Sequence, residues 1–298
     1  MYSSARRGTT QGFTLIELSI VLVIVGLIVG GILTGRDLID AAAIRAQISQ
    51  IEKYHTAVRT FQNKYGYLPG DIPNPAASNF GFPIARGSLA GEGDGNGILE
   101  GNCNNTAGSN LGIEEGCGET LVFWQDLNYA SLVDGFSASG GAAPSETTNT
   151  AIYYPAVLPA SKLASSIFVY TYSTSGTNYF GISSASNVGW FLVGGTDPGL
   201  SVVQAYNIDK KTDDGMPQSG SVTACYLNGN ISTSNSIWAA GAGNQGANGG
   251  TGDCLTSTTA TAYATTNCYD NNNVAGVQTY SLKQNATKPN CALSFRFQ

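Results

Sequence analysis

The sequence predicts an α+β protein in which one long amino-terminal helix packs on an antiparallel β-sheet domain with long irregular loops. Three observations carry this. An apolar run from Phe13 to Leu33 leads into an amphipathic stripe that ends near Tyr65. Short runs of aromatic and β-branched residues, bounded by turn signals, occupy the carboxy-terminal half. Stretches of Gly, Asn, Ser and Thr separate them, and the charged fraction is only 11%. Helix first and strands afterwards is the order of an α+β chain rather than of alternating βαβ units.

The helix begins in the run "GFTLIELSIVLVIVGLIVGGIL", Gly12 to Leu33. From Phe13 it would span about 31 Å, the thickness of a bilayer core of about 30 Å. Arg6 and Arg7 precede it and favour a cytoplasmic amino terminus. A cleaved secretory signal would have a shorter apolar core closed by small residues, and no A-x-A pattern follows this one. A plain signal anchor explains the length but not Glu17, the single ionisable residue in the run. A carboxylate in lipid costs roughly 2.5–3.5 kcal/mol and usually has a partner. If the chain is cut after Gly12, Phe13 gains a free amine, and in a helical assembly Glu17 of one subunit meets the Phe13 amine of its neighbour. Gly26, Gly30, Gly31 and Gly35 each disfavour helix by about 1 kcal/mol relative to Ala. They suit either close helix packing or local melting on assembly.

At Gly12-Phe13-Thr14-Leu15-Ile16-Glu17-Leu18 the sequence resembles the type IV pilins and the pseudopilins of type II secretion. It has the leader-ending glycine, the aromatic that becomes the new terminus, and a glutamate fifth in the mature chain. The resemblance implies a ladle-shaped fold, cleavage after Gly12 by a prepilin peptidase, and N-methylation of Phe13. It implies insertion in the bacterial inner membrane with an exported body, then extraction by an assembly ATPase into a periplasmic or cell-surface filament of pilin or pseudopilin subunits.

The organisation that follows is a leader at 1–12, a transmembrane and filament-core helix at 13–33, its amphipathic continuation at 34–66, and an exported α+β domain at 67–298. Ile44, Ile48, Ile51, His55 and Val58 recur at helical spacing, with Phe61 extending the stripe. Gly66, Pro69 and Gly70 end the helix in "YGYLPGD". His55, the only histidine, lies on that stripe as a packing residue rather than a catalytic base, which needs a cleft and a positioned partner. Residues 70–117 read as an irregular connection and Glu119–Leu132 as a second helix. "SIFVYTY", "NYFGIS", "GWFLVG", "GSVTACYL", "GVQTYSL" and "CALSFRF" read as strands, and "LSVVQAYNIDKK" as a short helix. A Gly/Asn/Ser/Thr-rich insertion occupies about 228–276.

The net charge is −6, and is more negative still without the Arg6-Arg7 leader. An acidic body argues against nucleic acid as a partner, since phosphate binding needs a basic footprint. The six cysteines lack C-x-x-C spacing and neighbouring histidines, so disulfides in an exported body are expected rather than zinc. Short loops favour Cys103–Cys117 and Cys254–Cys268, leaving Cys225–Cys291, one of fifteen connectivities.

Two acidic loops are candidate calcium sites. "GEGDGNGILEG" offers Asp94, Asn96 and Glu100, although Asp and Asn with Gly also build ordinary turns. "NIDKKTDDGMPQSG" brings Asp209, Asp213 and Asp214 together, where repulsion must be met by a cation or by donors. This second loop resembles the DDG-x-P loop of some pilin-like proteins, which implies structural calcium. No other cofactor is required and no enzyme is expected. The expected role is a structural filament subunit, a minor pilin or pseudopilin, because the mature chain is bulky for a repeated lattice. The alternative is a pilus-borne adhesive module using 228–276, and a membrane-tethered enzyme comes third.

Overall fold

The computed structural model describes residues 13–82, 93–99, 119–134, 158–174, 176–185, 196–197, 199–224, 268–271 and 278–298. Two compact units are present, Met1–Ala43 and Ile44–Gln298.

Helix α1 runs Leu15–Tyr65 without interruption, as expected for a stretch with no proline. In the first unit every α1 residue up to Thr34 is exposed. In the second unit α1 buries Ile44, Gln47, Ile51, Tyr54, Val58 and Phe61 at spacings of three and four, one stripe of an amphipathic helix. Gly66 closes it with φ 80°, a left-handed conformation suited to glycine, and its N–H donates to Gln62 O at 2.8 Å.

A short helix, α2 (Asn74–Asn79), follows Pro73 inside the expected irregular connection and has Pro75 in its first turn. Its start signal was legible, because proline is favoured in the first turn of a helix. Helix α3 (Glu119–Tyr129) stands where the second helix is expected. It buries Phe123, Trp124 and Leu127.

Strands β1 (Ile167–Thr174) and β2 (Thr177–Ala185) form an antiparallel hairpin. β2 also pairs with β3 (Thr196–Asp197) and with β7 (Leu293–Arg296), and β7 pairs with β4 (Val222–Ala224), giving the path β1-β2-β7-β4 with β3 beside β2. All of these pairings are antiparallel. Helix α4 (Val202–Thr212) opens with a capping box, Ser201 with Gln204. A two-stranded ribbon pairs β5 (Tyr269–Asp270) with β6 (Thr279–Tyr280), and α5 (Leu282–Asn285) follows. The expected strand "GWFLVG" lies outside the described residues, and the 228–276 insertion is described only at 268–271, where it contributes β5.

Pleating assigns the two sheet faces. Val169, Phe180, Ile182 and Phe295 point to one side. There Phe180 meets Trp124 at 6.1 Å, His55 at 5.3 Å and Phe297 at 4.4 Å between ring centroids. Tyr54 packs edge-on against Trp124 at 4.9 Å. This aromatic core joins α3, the sheet and the outer half of α1. Tyrosines occupy the other face: Tyr172 stacks on Tyr179 at 5.4 Å, and its hydroxyl donates to Ser294. Burial pushes the Tyr172 phenol well above its usual pKa. The Tyr170 ring lies where any side chain on Gly181, its cross-strand partner, would stand. Glycine is therefore needed at 181 for packing, not for its backbone.

Candidate functional site

The start of α1 is the first candidate. Thr14 is the residue before the helix and Glu17 is its third helical position. Glu17 Oε2 accepts from the Thr14 backbone N–H at 2.8 Å and from the Thr14 hydroxyl at 2.7 Å. The Glu17 N–H donates back to Thr14 Oγ1 at 3.3 Å. This is a capping box, which satisfies helix-start donors that would otherwise lack partners. The Thr14-x-x-Glu17 spacing before an apolar run is a capping-box signal legible in the sequence. Within the chain, then, Glu17 has a local partner. Its Oε1 makes no hydrogen bond among the described residues, so one oxygen remains to meet a cation. Phe13 is 88% exposed. Gly12 lies outside the described residues.

Beyond this start, α1 is long and apolar enough to cross a membrane, and none of its apolar window is buried among the described residues. Leu15 is 89% and Leu27 is 73% exposed. At about 25 cal/mol per Å² of apolar surface, so long an uncovered stretch requires lipid or other helices around it.

The first acidic loop is built around Asp71, which lies outside the loop in sequence. Asp71, at the end of "YGYLPGD", is buried. Its Oδ1 accepts from Gly95 N–H at 2.7 Å and its Oδ2 from Gly97 N–H at 2.8 Å. Asp94 accepts from the Asn96 N–H at 2.9 Å, and Asn96 from the Ile98 N–H at 2.6 Å, two successive Asx turns. The loop thus turns backbone N–H groups inward on a carboxylate, whereas a calcium loop turns oxygens inward on a cation. Glu119, also buried, accepts from the Asp94 N–H at 3.2 Å. Ligand oxygens of Asp71, Asp94 and Glu119 lie within 4.8 Å of one another. Burial raises the Asp71 pKa, and the Gly97 and Gly95 N–H groups oppose the rise. Glu100 lies outside the described residues.

The second loop does gather Asp209, Asp213 and Asp214, again within 4.8 Å. Donors compensate them. Asp209 accepts from the Tyr280 hydroxyl at 2.7 Å and Gly215 N–H at 3.1 Å. Asp213 accepts from the N–H groups of Ser221 and Val222. Asp214 accepts from Met216 N–H and the Ser219 hydroxyl. The positive φ of Gly220, 81°, carries the chain round Asp213, and no side chain fits there. Lys210, next in the chain to Asp209, holds its ammonium 5.3 Å from the Tyr206 ring centroid.

The disulfide expectation needs correction. Cys268 is bonded to Cys291, with Cα atoms 4.9 Å apart. Each sulfur forms one such bond, so the expected Cys254–Cys268 and Cys225–Cys291 are both overturned. Short-loop reasoning failed because Cα distance, not sequence separation, decides a pairing. The Ser281 N–H donates to Cys268 O, and Cys291 forms an isolated β-bridge with Leu200. Cys103, Cys117, Cys225 and Cys254 lie outside the described residues.

His55 packs edge-on against Phe180 and Phe297. Burial, with the nearby Arg59 charge, pushes its pKa down.

Comparison with known families finds a match to the prokaryotic N-terminal methylation motif over residues 7–33. No curated protein and no solved structure matches the chain. The start of α1, with Phe13 exposed and Glu17 one turn inside the helix, therefore lies in a methylation motif of the kind that prepilins carry.

Proposed function

We propose that the chain is a minor pilin or pseudopilin, a structural subunit of a type IV pilus-like or type II secretion filament. A prepilin peptidase removes residues 1–12, Phe13 is N-methylated, and the body is held outside the inner membrane by the first half of α1 until assembly. The observation that supports this best is the methylation motif at 7–33 continuing into a helix whose apolar surface is uncovered from Phe13 to Leu33. In the assembled state the Phe13 amine of a neighbour takes the place of, or joins, the Thr14 donors on Glu17. That exchange keeps the carboxylate partnered in apolar surroundings, where an unpaired charge is costly.

Mass spectrometry of sheared filaments and of the envelope is the test. A peptide beginning at N-methylated Phe13 in the filament fraction is the expected result. The same peptide confined to the envelope favours the periplasmic pseudopilin, and an amino terminus still at Met1 in assembly-competent cells leaves a membrane anchor only. Structural calcium in either acidic loop is a secondary proposal. It has to compete with the backbone donors already on Asp71, Asp209, Asp213 and Asp214. Chelation that lowers the melting temperature, with calcium found bound to the protein, would support it.

A further inference from the structure

A groove of about 490 Å³ opens in the body beside the outer half of α1. Its apolar floor includes Val133, Leu158 and Pro159, and its charged rim is Lys53, Lys162 and Asp134. All three rim residues are exposed. Among the described residues, none of these side chains forms an ion pair or a hydrogen bond.

A complementary segment lies in the other unit, just past the membrane-length run. Arg36, Asp37, Leu38, Ile39 and Asp40 are all exposed, Leu38 at 67% and Ile39 at 68%. At 3.6 residues per turn, Ile39, Arg36, Asp40 and Asp37 follow one another round one side of α1 within an arc of about 160°. Leu38 falls on the opposite side. These charges too have no partner among the described residues. Two acids and one base on the segment complement two bases and one acid on the groove rim, with an isoleucine at one edge of the charged arc and an apolar floor that can receive it. Lys53 stands more than three turns beyond Asp40 on the same helix, beyond the reach of a side chain.

We propose that this groove is an inter-subunit docking site that receives the Arg36–Asp40 segment of a second copy of the chain. Asp37 and Asp40 meet Lys53 and Lys162, Arg36 meets Asp134, and Ile39 enters the floor. Exposed ion pairs contribute little stability each, so the apolar insertion supplies most of the contact. The charges set register and exclude a reversed partner. Docking of this kind rests on the filament reading above and acts wherever two copies of the chain are neighbours in the filament. It adds a contact outside the apolar core, between the root of one helix and the body of another subunit.

The test uses the full-length chain in assembly-competent cells, grown as a mixture of isotopically light and heavy protein. Filaments and envelope are treated with a carbodiimide, which joins a carboxylate to a lysine ammonium with loss of water. The expected result is mixed-isotope peptides linking Asp37 or Asp40 to Lys53 or Lys162. In parallel, Asp37→Lys with Asp40→Lys should reduce filament yield several-fold, and adding Lys53→Asp with Lys162→Asp should restore it. Filaments that carry N-methylated Phe13 and other inter-subunit links, but none at these residues, would overturn the docking site and leave the filament reading standing. Absence of both the Phe13 terminus and any inter-subunit link would overturn the two together.

Discussion

The two halves of α1 belong to one helix and face opposite problems. From Ile44 onward, apolar residues keep to one stripe, and the chain's own sheet and α3 bury it: Ile51 is 2% and Phe61 0% exposed. From Phe13 to Leu33, apolar residues occupy every side and no described residue covers them. A helix that is apolar all round needs a surrounding of its own kind, whereas an amphipathic helix needs only one partner face. Substitutions in the outer half should therefore change folding, and substitutions in the inner half should change what the folded subunit joins.

The sharpest way to break that contrast is at Glu17, which both caps its own helix and offers a charge. Glu17→Ala removes both roles. Glu17→Gln keeps a capping-box side chain at the third helical position but loses the charge. If the charge serves assembly, both variants insert in the membrane normally and both are lost from sheared filaments, as read by immunoblot. Filament incorporation of Glu17→Gln at the wild-type level would assign the residue to capping instead. No change in the stability of the body is expected from either.

The outer half gives the converse result. Trp124 touches Tyr54 of α1, Phe123 and Phe180 at once. Trp124→Ala should cost about 3–5 kcal/mol of stability through the cavity it leaves. Thermal melts of the detergent-solubilised chain would show a large drop, while cleavage at the leader proceeds. An unchanged melting curve would mean that α1 is not held by this aromatic core.

How much of this was open to the sequence depended on how far apart the partners lie. α1 was legible to within two residues because its signal is a local periodicity unbroken by proline. β1 and β2 were legible because Phe, Tyr, Ile and Val cluster between turn signals. Asp71 was not, because its role depends on Gly95 and Gly97 meeting it from a different loop, and residue type alone marks it only as part of a helix stop. Glu119 was hidden for the same reason. Short elements such as β3 and β5 have two residues each, too few for any period to show.

The Cys268–Cys291 bond is the next test of the body in scale. It closes a separation of 23 residues, which in the chain-entropy view contributes about 3 kcal/mol. Cys291→Ser should lower the melting temperature by several degrees. Peptide mapping of the unreduced wild-type chain should recover the 268 and 291 peptides as one species. Recovery of Cys291 linked to Cys225 would restore the connectivity expected from the sequence.

The smallest effect expected is a dependence on pH at Asp209, which separates the acidic loop from both halves of α1. Asp209 is buried near the end of α4. Burial, with the charges of Asp214 and Asp213 adding to it, pushes its pKa up to about 6 against the donors Tyr280 and Gly215. A carboxyl whose folded pKa lies above its unfolded value binds its proton more tightly when folded. Its contribution is fully present below about pH 4, the unfolded value, and is lost as pH rises through about 6. Asp209→Asn should remove this slope and stabilise the chain at pH 7 by on the order of 1 kcal/mol. Melting temperatures measured from pH 4 to pH 7 on both proteins would show it as converging curves at low pH. Parallel curves would mean that the hydrogen bonds from Tyr280 and Gly215 already hold the carboxylate charged throughout. A calcium ion in the loop would show differently again: the wild-type curve would rise with pH as the carboxylates ionise, and chelation would flatten it.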